Sequence, residues 1–418
     1  MKISFLVYNI YGMGGTVRTV VNTANYFAAQ NLQVEIISVR KTAASPMFSI
    51  NSSVKIKPLF DARRGKRYYK GMPLHKKLFK KIACRLPSVA INKKEDLYHM
   101  FTLFTDIKVI TALRQIKSDI LITTIPSFNV LATLLAPKRV KTIGQEHRNF
   151  DIHDVSLQRK IIKHYPKLDV LTCLTDNEVN AYRELLKTSN VKVIKVENAT
   201  DMQWRSASLE EKTIIAAGRY VPEKGFDLLI PAFVKVIETH PEWKLKIFGS
   251  GKDEPLLRDL IFKYKAYNNI LLMPTTNKIT EEMLRSSAYV LSSRSESFGM
   301  VLIEAMSVGL PCISYKCPGP VEILKNEEDG LLVDEEDIQG LAEAMNRIIG
   351  SVDLRHELGK QAKINVERYS FIQIGQKWKL IIDELNQEHK REPQLEPVVN
   401  FKNNKRKQGF TETQRKII

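Results

Sequence analysis

Ser293-Arg294-Ser295-Glu296-Ser297-Phe298-Gly299-Met300-Val301-Leu302-Ile303-Glu304-Ala305-Met306 is the stretch on which the reading of this chain turns. A polar loop gives way at Gly299 to a run that is apolar around most of a helical circumference, and a helix apolar all round is a buried one. Glu296 stands in the loop and Glu304 inside the apolar run. A carboxylate buried there alone costs several kcal/mol, at least ~2–3 if it merely lacks hydrogen bonds. Glu304 therefore needs a partner. Ligand hydroxyls fit, because an ionised carboxylate only accepts hydrogen bonds and a ribose diol supplies two donors; an internal Arg or Lys fits as well. Gly299 allows close backbone approach ahead of the helix. Sugar hydroxyls at Glu296 and a phosphate at the N–H groups of Met300 and Val301 are then compatible.

Upstream, Gly218-Arg219-Tyr220-Val221-Pro222-Glu223-Lys224-Gly225 follows a strand-like run. A turned loop brings Arg219 and Lys224 onto one diphosphate, the planar fork of arginine beside the point charge of lysine, where a leaving nucleoside diphosphate gains charge. Taken alone, the pair reads equally as two surface cations. Near the start, Tyr11-Gly12-Met13-Gly14-Gly15-Thr16 leads from a strand into a helix, exposing N–H groups that favour an anion. It fails as a dinucleotide fingerprint, since Val17 occupies the place of the third glycine.

Outward from these loops, apolar runs alternate with helical stretches throughout, the pattern of parallel sheets wrapped by helices. Strands are expected at Ile3–Tyr8, Val34–Val39, Val54–Leu59, Ile120–Thr123, Val140–Gly144, Val170–Leu174 and Val191–Val196. A second set is expected at Thr213–Ala217, Trp243–Phe248, Ile270–Met273, Tyr289–Leu291 and Cys312–Ser314. Leu97–Ile116 reads as one helix. Thr175 with Glu178, and Ser370 with Gln373, read as capping boxes. The polar stretch Glu197–Ser208 separates two α/β halves, and ligands of such sheets bind beyond the carboxyl ends of the strands.

The length of 418 residues fits about two domains, and 44% hydrophobic with 26% charged residues leaves little room for a disordered chain. Cys84, Cys173, Cys312 and Cys317 are scattered, with neither a disulfide framework nor metal-ligand spacing. No signal peptide is read at the amino end, and no apolar run reaches the ~18–20 residues of a membrane span, so a cytoplasmic protein is expected. Net charge is +18. Residues 1–200 hold 33 of the 64 Lys+Arg and 14 of the 46 Asp+Glu, a net of +19, which leaves residues 201–418 at −1. The densest part, residues 63–85, carries Arg63, Arg64, Lys66, Arg67, Lys70, Lys76, Lys77, Lys80, Lys81 and Arg85 with no acid between them. Leu74, Leu78, Phe79 and Ile82 interleave with these lysines as in a basic amphipathic helix, suited to an anionic membrane surface or a phosphate-bearing partner. A solvated surface loop is the plain alternative. No nucleic-acid partner is expected, because no RRM, KH, zinc-finger or basic-zipper pattern is present. A second basic run, at 402–410, reads as a disordered tail.

Together, Gly218-Arg219, Glu223-Lys224-Gly225 and Glu296-x-Phe298-Gly299-x4-Glu304-Ala305 resemble the retaining, nucleotide-sugar-dependent glycosyltransferases of the GT-B fold, family-4 type. The Gly14-Gly15 loop, Gly249 and Gly251, Gly319 with Glu322, and Gly330-Leu331-Leu332-Val333 fall in the same order, so the likeness runs over nearly the whole chain. The resemblance implies two Rossmann-like parallel-sheet domains facing across a cleft. Residues 1–198 would bind the acceptor and residues 199–370 the nucleotide sugar; 371–388 would be a C-terminal crossover helix, followed by a basic tail over 389–418. It implies that Arg219 and Lys224 hold the diphosphate, Glu304 the ribose, and Glu296 with the backbone of Phe298, Gly299, Met300 and Val301 the donor sugar. Gly15 would approach from the opposite wall, and His147 matches an active-site histidine. A base-binding loop is expected near Thr275–Lys278, where Met273-Pro274-Thr275 departs from the usual glycine and leaves the base contacts open.

With no DxD motif, two cations standing in for a divalent ion imply metal-independent transfer from a nucleotide sugar, UDP-linked, with no other cofactor. The acceptor expected from the charge asymmetry is an anionic or polyprenyl-diphosphate-linked glycan of a bacterial cell-surface polysaccharide or teichoic acid. A diphosphate oxygen is expected to take the acceptor proton. Two other classes compete. A nicotinamide oxidoreductase requires an acidic residue after the second strand, where Val39-Arg40-Lys41 stands. A nucleotide-sugar epimerase or hydrolase on the same scaffold would act without acceptor stimulation.

Overall fold

Short runs of Ile, Val and Leu without polar alternation make strands that are buried on both faces, as parallel sheets require. In the computed structural model, which describes residues 1–63 and 73–391, these runs form two sheets with parallel pairing throughout. The first contains β1 (Lys2–Val7), β2 (Gln33–Lys41), β3 (Lys55–Asp61), β4 (Ile120–Thr123), β5 (Lys141–Gln145), β6 (Val170–Cys173) and β7 (Lys192–Lys195), in the order β3-β2-β1-β4-β5-β6-β7. The second contains β8 (Thr213–Ala217), β9 (Lys244–Phe248), β10 (Ile270–Met273), β11 (Ala288–Leu291), β12 (Cys312–Tyr315) and β13 (Gly330–Val333), in the order β10-β9-β8-β11-β12-β13. In each sheet the order reverses at the first strand, β1 or β8. That reversal opens a crevice at the carboxyl ends, where the glycine-rich loops after β1 and β8 lie.

The final helix, Phe371–Arg391, returns to the first domain. Gly375 permits that return, since a Cβ there would stand 2.2 Å from the Tyr26 ring. Trp378 then meets Phe27 edge-on at 6.1 Å between centroids. One apolar cluster runs from Phe5 and Phe27 through Trp378 to Phe298 and Leu302, so the two halves share a core. The two connecting segments meet where Thr200 donates its N–H to the Tyr369 carbonyl at 2.9 Å.

Several expectations are corrected. Leu97–Ile116 is not one helix: a 3-10 turn at Tyr98–Met100 ends at Phe101, and Thr102 and Thr105 cap a new helix, Leu103–Arg114. Only half of the expected capping box forms at Thr175. Its hydroxyl accepts from Glu178 N at 3.3 Å, but the Glu178 carboxylate accepts from Phe150 N at 3.2 Å instead. The helices Pro318–Ile323 and Val352–Asn365 were not expected. Within the basic segment, Leu74–Ala83 is a helix whose Lys80 turns inward over the rings of Phe60 and Phe104, at 5.4 and 5.0 Å. Burial pushes Lys80 down to about 8. Arg64, Lys66, Arg67 and Lys70, and the tail from residue 392, lie outside the described residues. The four cysteines are free thiols. Among the described residues no helix is long and apolar enough to cross a membrane.

Candidate active site

The carboxyl-end loops of both sheets enclose a cleft of about 620 Å³. From the second domain, the turn after β8 sets Lys224 beside the loop after β11, and Lys224 Nζ pairs with Glu296 Oε2 at 2.5 Å. Gly225 makes that approach possible: its φ is +61°, and a Cβ would stand 2.0 Å from the Ser292 carbonyl. Arg219 is exposed on the same wall, with no side-chain partner among the described residues. Gly299, at φ +107°, begins the helix Met300–Ser307, and among the described residues no side chain caps its first amides. Phe298 lines the floor, its ring edge-on to Tyr369 at 5.5 Å.

Glu304 is 5% exposed on that helix, as its apolar neighbours require. Its partner is Arg18, reaching across from the first domain with Nη1 2.8 Å from Oε1. The need for a partner is thus met in the free protein by a cation, the alternative that the sequence left open. Burial raises the Glu304 carboxyl, and the Arg18 charge partly offsets the shift. Arg18 escaped the sequence reading because nothing local marks it. It is one arginine in the helix Gly15–Ala29, its guanidinium carbon 5.3 Å from the centre of the Phe48 ring.

On the first-domain wall, Gly14 adopts φ +147° and Gly15 lies against Met300, with a built Cβ 3.6 Å from Met300 Cγ. His147 follows β5 and lines the cleft. Burial pushes its imidazole down to about 4, so it is neutral near pH 7, and its enclosed Nε2 has no partner among the described residues. A neutral imidazole offers one donor and one acceptor to a hydroxyl and is a weak base. Beside it, Arg148 pairs with Asp96 at the lip, a pair the sequence reading did not single out.

Behind His147 lies a buried polar network. Glu146 accepts from Tyr165 Oη and from Asn129 Nδ2, the latter at 3.2 Å, and faces His153 Nε2 at 3.4 Å. Burial alone would lower His153, but its bond to Glu146 and the charges of Glu146 and Glu95 raise it. Glu178 is pushed up to about 7, chiefly by burial. Thr275, Thr276 and Asn277 line the far end of the cleft, and Thr275 Oγ1 lies 3.1 Å from Ser250 Oγ.

The sequence profile described as glycosyl transferases group 1 matches residues 198–365. An exopolysaccharide phosphotransferase of Streptomyces coelicolor is 34% identical over 392 residues, 92% of this chain; the chain spans only 41% of that relative's length. An uncharacterised glycosyltransferase of Haemophilus influenzae is 28% identical over 91% of this chain and 99% of its own. Among solved structures, a point mutant of S. aureus TarM in complex with fondaparinux, α-GlcNAc-glycerol and UDP superposes with a TM-score of 0.73 at 17% identity, covering 91% of this chain and 99% of that one. That likeness is one of fold.

Proposed function

We propose that the chain is a glycosyltransferase of the GT-B fold, its second domain resembling group 1, and that it moves a hexose or N-acetylhexosamine, with retention, from a nucleotide sugar, UDP-linked. The acceptor is an anionic or polyprenyl-diphosphate-linked glycan of a bacterial cell-surface polysaccharide or teichoic acid. What supports the donor reading most is Glu304, a buried carboxylate held by one cation from the opposite domain, in the same cleft as Arg219, Lys224 and an uncapped helix end. The ribose diol exchanges with Arg18 at Glu304. Arg219, Lys224 and the first amides of Met300–Ser307 neutralise the diphosphate as the bond to sugar breaks, without a divalent ion. Glu296 and neutral His147 orient the sugar hydroxyls. His147 is too weak a base to take the acceptor proton near pH 7, which favours a diphosphate oxygen for that step.

A thermal-shift panel of UDP, GDP, ADP and CMP, followed by nucleotide-release assays with the matching sugars, tests this. Stabilisation by UDP and acceptor-stimulated release are expected. No response to any nucleotide overturns the donor reading, and release that no glycan stimulates replaces transfer with hydrolysis or epimerisation.

The first domain supplies the membrane part of the proposal. Leu74, Leu78, Phe79 and Ile82 on the helix Leu74–Ala83 are 80%, 57%, 55% and 51% exposed, with Lys76, Lys77 and Lys81 exposed among them. A face both apolar and cationic suits an anionic bilayer surface. At about 1 kcal/mol per lysine, changing all three to glutamine lowers co-sedimentation with phosphatidylglycerol vesicles about a hundredfold. Unchanged binding removes the membrane assignment.

A further inference from the structure

Glu322 belongs to the second domain but completes a helix of the first. The helix Asp176–Leu185 begins with amides that have no partner within the helix. Thr175 takes the amide of Glu178. The amides of Asp176 and Asn177 donate to Glu322, at 2.9 Å to Oε2 and 3.1 Å to Oε1. Lys195, at the end of β7, adds a third contact to Glu322 at 3.0 Å. Lys195 also pairs with Asp176 at 2.6 Å and approaches Glu197 at 3.9 Å, and Glu197 pairs with Lys377 of the final helix at 2.6 Å. The network thus joins the second domain, the first domain and the returning helix.

The same short helix that carries Glu322 is fixed to the donor wall. Gly319 N donates to the Glu296 carbonyl at 2.8 Å, and a Cβ at Gly319 would stand 2.4 Å from the Phe298 carbonyl oxygen. At its other end, Arg368 donates to the Ile323 carbonyl at 2.6 Å. On the first-domain side, Leu174 lines the cleft one residue before Thr175. A displacement of Glu322 relative to Asp176 is therefore a displacement of the Glu296 loop relative to the acceptor wall.

We infer that Glu322 is a positioning residue: by capping the first-domain helix Asp176–Leu185 it sets the register of the two domains and hence the distance between donor and acceptor. Its carboxylate suits the positive end of that helix. The contacts are partly open to solvent. The activity arm of the test rests on the proposed function; the scattering arm does not.

The experiment compares the full chain with Glu322→Ala and Glu322→Gln by UDP calorimetry, steady-state transfer, and small-angle X-ray scattering with and without UDP. For Glu322→Ala, kcat falls about tenfold or more, as misplacement of reacting groups by a fraction of an ångström to an ångström requires. The UDP Kd stays within about twofold, because the Glu322 helix and the Glu296 loop are fixed to each other and move as one wall. The maximum dimension of the scattering particle increases. Glu322→Gln recovers part of both effects, its amide oxygen still accepting one N–H. Wild-type scattering and kcat in Glu322→Ala overturn the inference. A parallel loss of UDP affinity overturns it too, because the damage would then lie in the donor wall itself. Should the wild type show no UDP binding or transfer, the proposed function fails, while the change in scattering still decides the brace.

Discussion

Behind the first-domain wall of the cleft, Glu146 is held by Tyr165, Asn129 and His153, all from its own domain. Behind the second-domain wall, Glu304 is held, among the described residues, by Arg18 alone, and Arg18 comes from the other side of the cleft. Both carboxylates are almost wholly buried. A buried acid held by several donors of its own domain is part of the architecture and has nothing to exchange. One that depends on a single cation across a gap can accept a ligand hydroxyl in place of that cation. On the proposed function, the difference between the two walls separates a structural carboxylate from a binding one, which burial alone does not.

The largest test of this contrast is Glu304→Ala. Removing an ionised acceptor from two ligand hydroxyls, at about 1.5–3 kcal/mol per charged hydrogen bond, lowers kcat/KM for the donor about a hundredfold or more. The melting temperature moves little by comparison. The reverse pattern is expected of Glu146→Ala, which strands the Tyr165 hydroxyl proton and takes one acceptor from Asn129, and lowers stability by about 2–4 kcal/mol in urea unfolding, with nucleotide affinity of the folded protein unchanged. Equal loss of nucleotide binding in both variants would erase the distinction.

A smaller effect sharpens it. Arg18→Met leaves Glu304 buried without its counter-charge and destabilises the free protein by about 1–3 kcal/mol, yet nucleotide affinity is retained or improved up to a few fold, because the competing cation is gone. A fall of tenfold or more would make Arg18 a ligand of the nucleotide itself.

The smallest is a pH slope on the first wall. Glu178 is raised from 4.5 to about 7 in the folded chain. Between those values the folded state holds a proton that the unfolded state has released, so this group makes stability fall as pH rises from about 4.5 to 7. His153, also raised, acts in the same sense as pH passes through its folded value, and His147, lowered to about 4, acts oppositely below 6.5. The comparison of wild type with Glu178→Gln across pH 4.5–7 isolates the one slope; parallel melting curves would show that Glu178 does not titrate there.

The two walls also differ in how readily the sequence discloses them. Ile120–Thr123, Thr213–Ala217 and Ile270–Met273 are strands to the residue, because unbroken apolar runs between turn residues admit little else. The second-domain loops were legible for a similar reason: Lys224 and Gly225, and Glu296 through Glu304, stand close together in the chain. The first wall is assembled from separated pieces. Asp96 meets Arg148, and Arg18 meets Glu304, through tertiary packing that no local pattern encodes. Glu178 shows the limit most plainly, since its spacing from Thr175 favours a capping box while the nearby amide of Phe150 claims the carboxylate.

The edge-on contact of Trp378 with Phe27, admitted by Gly375, bears on how the protein is made. A ribosome delivers the helix carrying Phe27 early and the one carrying Trp378 more than three hundred residues later. At about 5–20 residues per second, the apolar face around Phe27 waits roughly 20–70 seconds for its cover. The final helix can therefore close over Phe27 only after synthesis has passed the second domain, and until then that part of the apolar face stays uncovered.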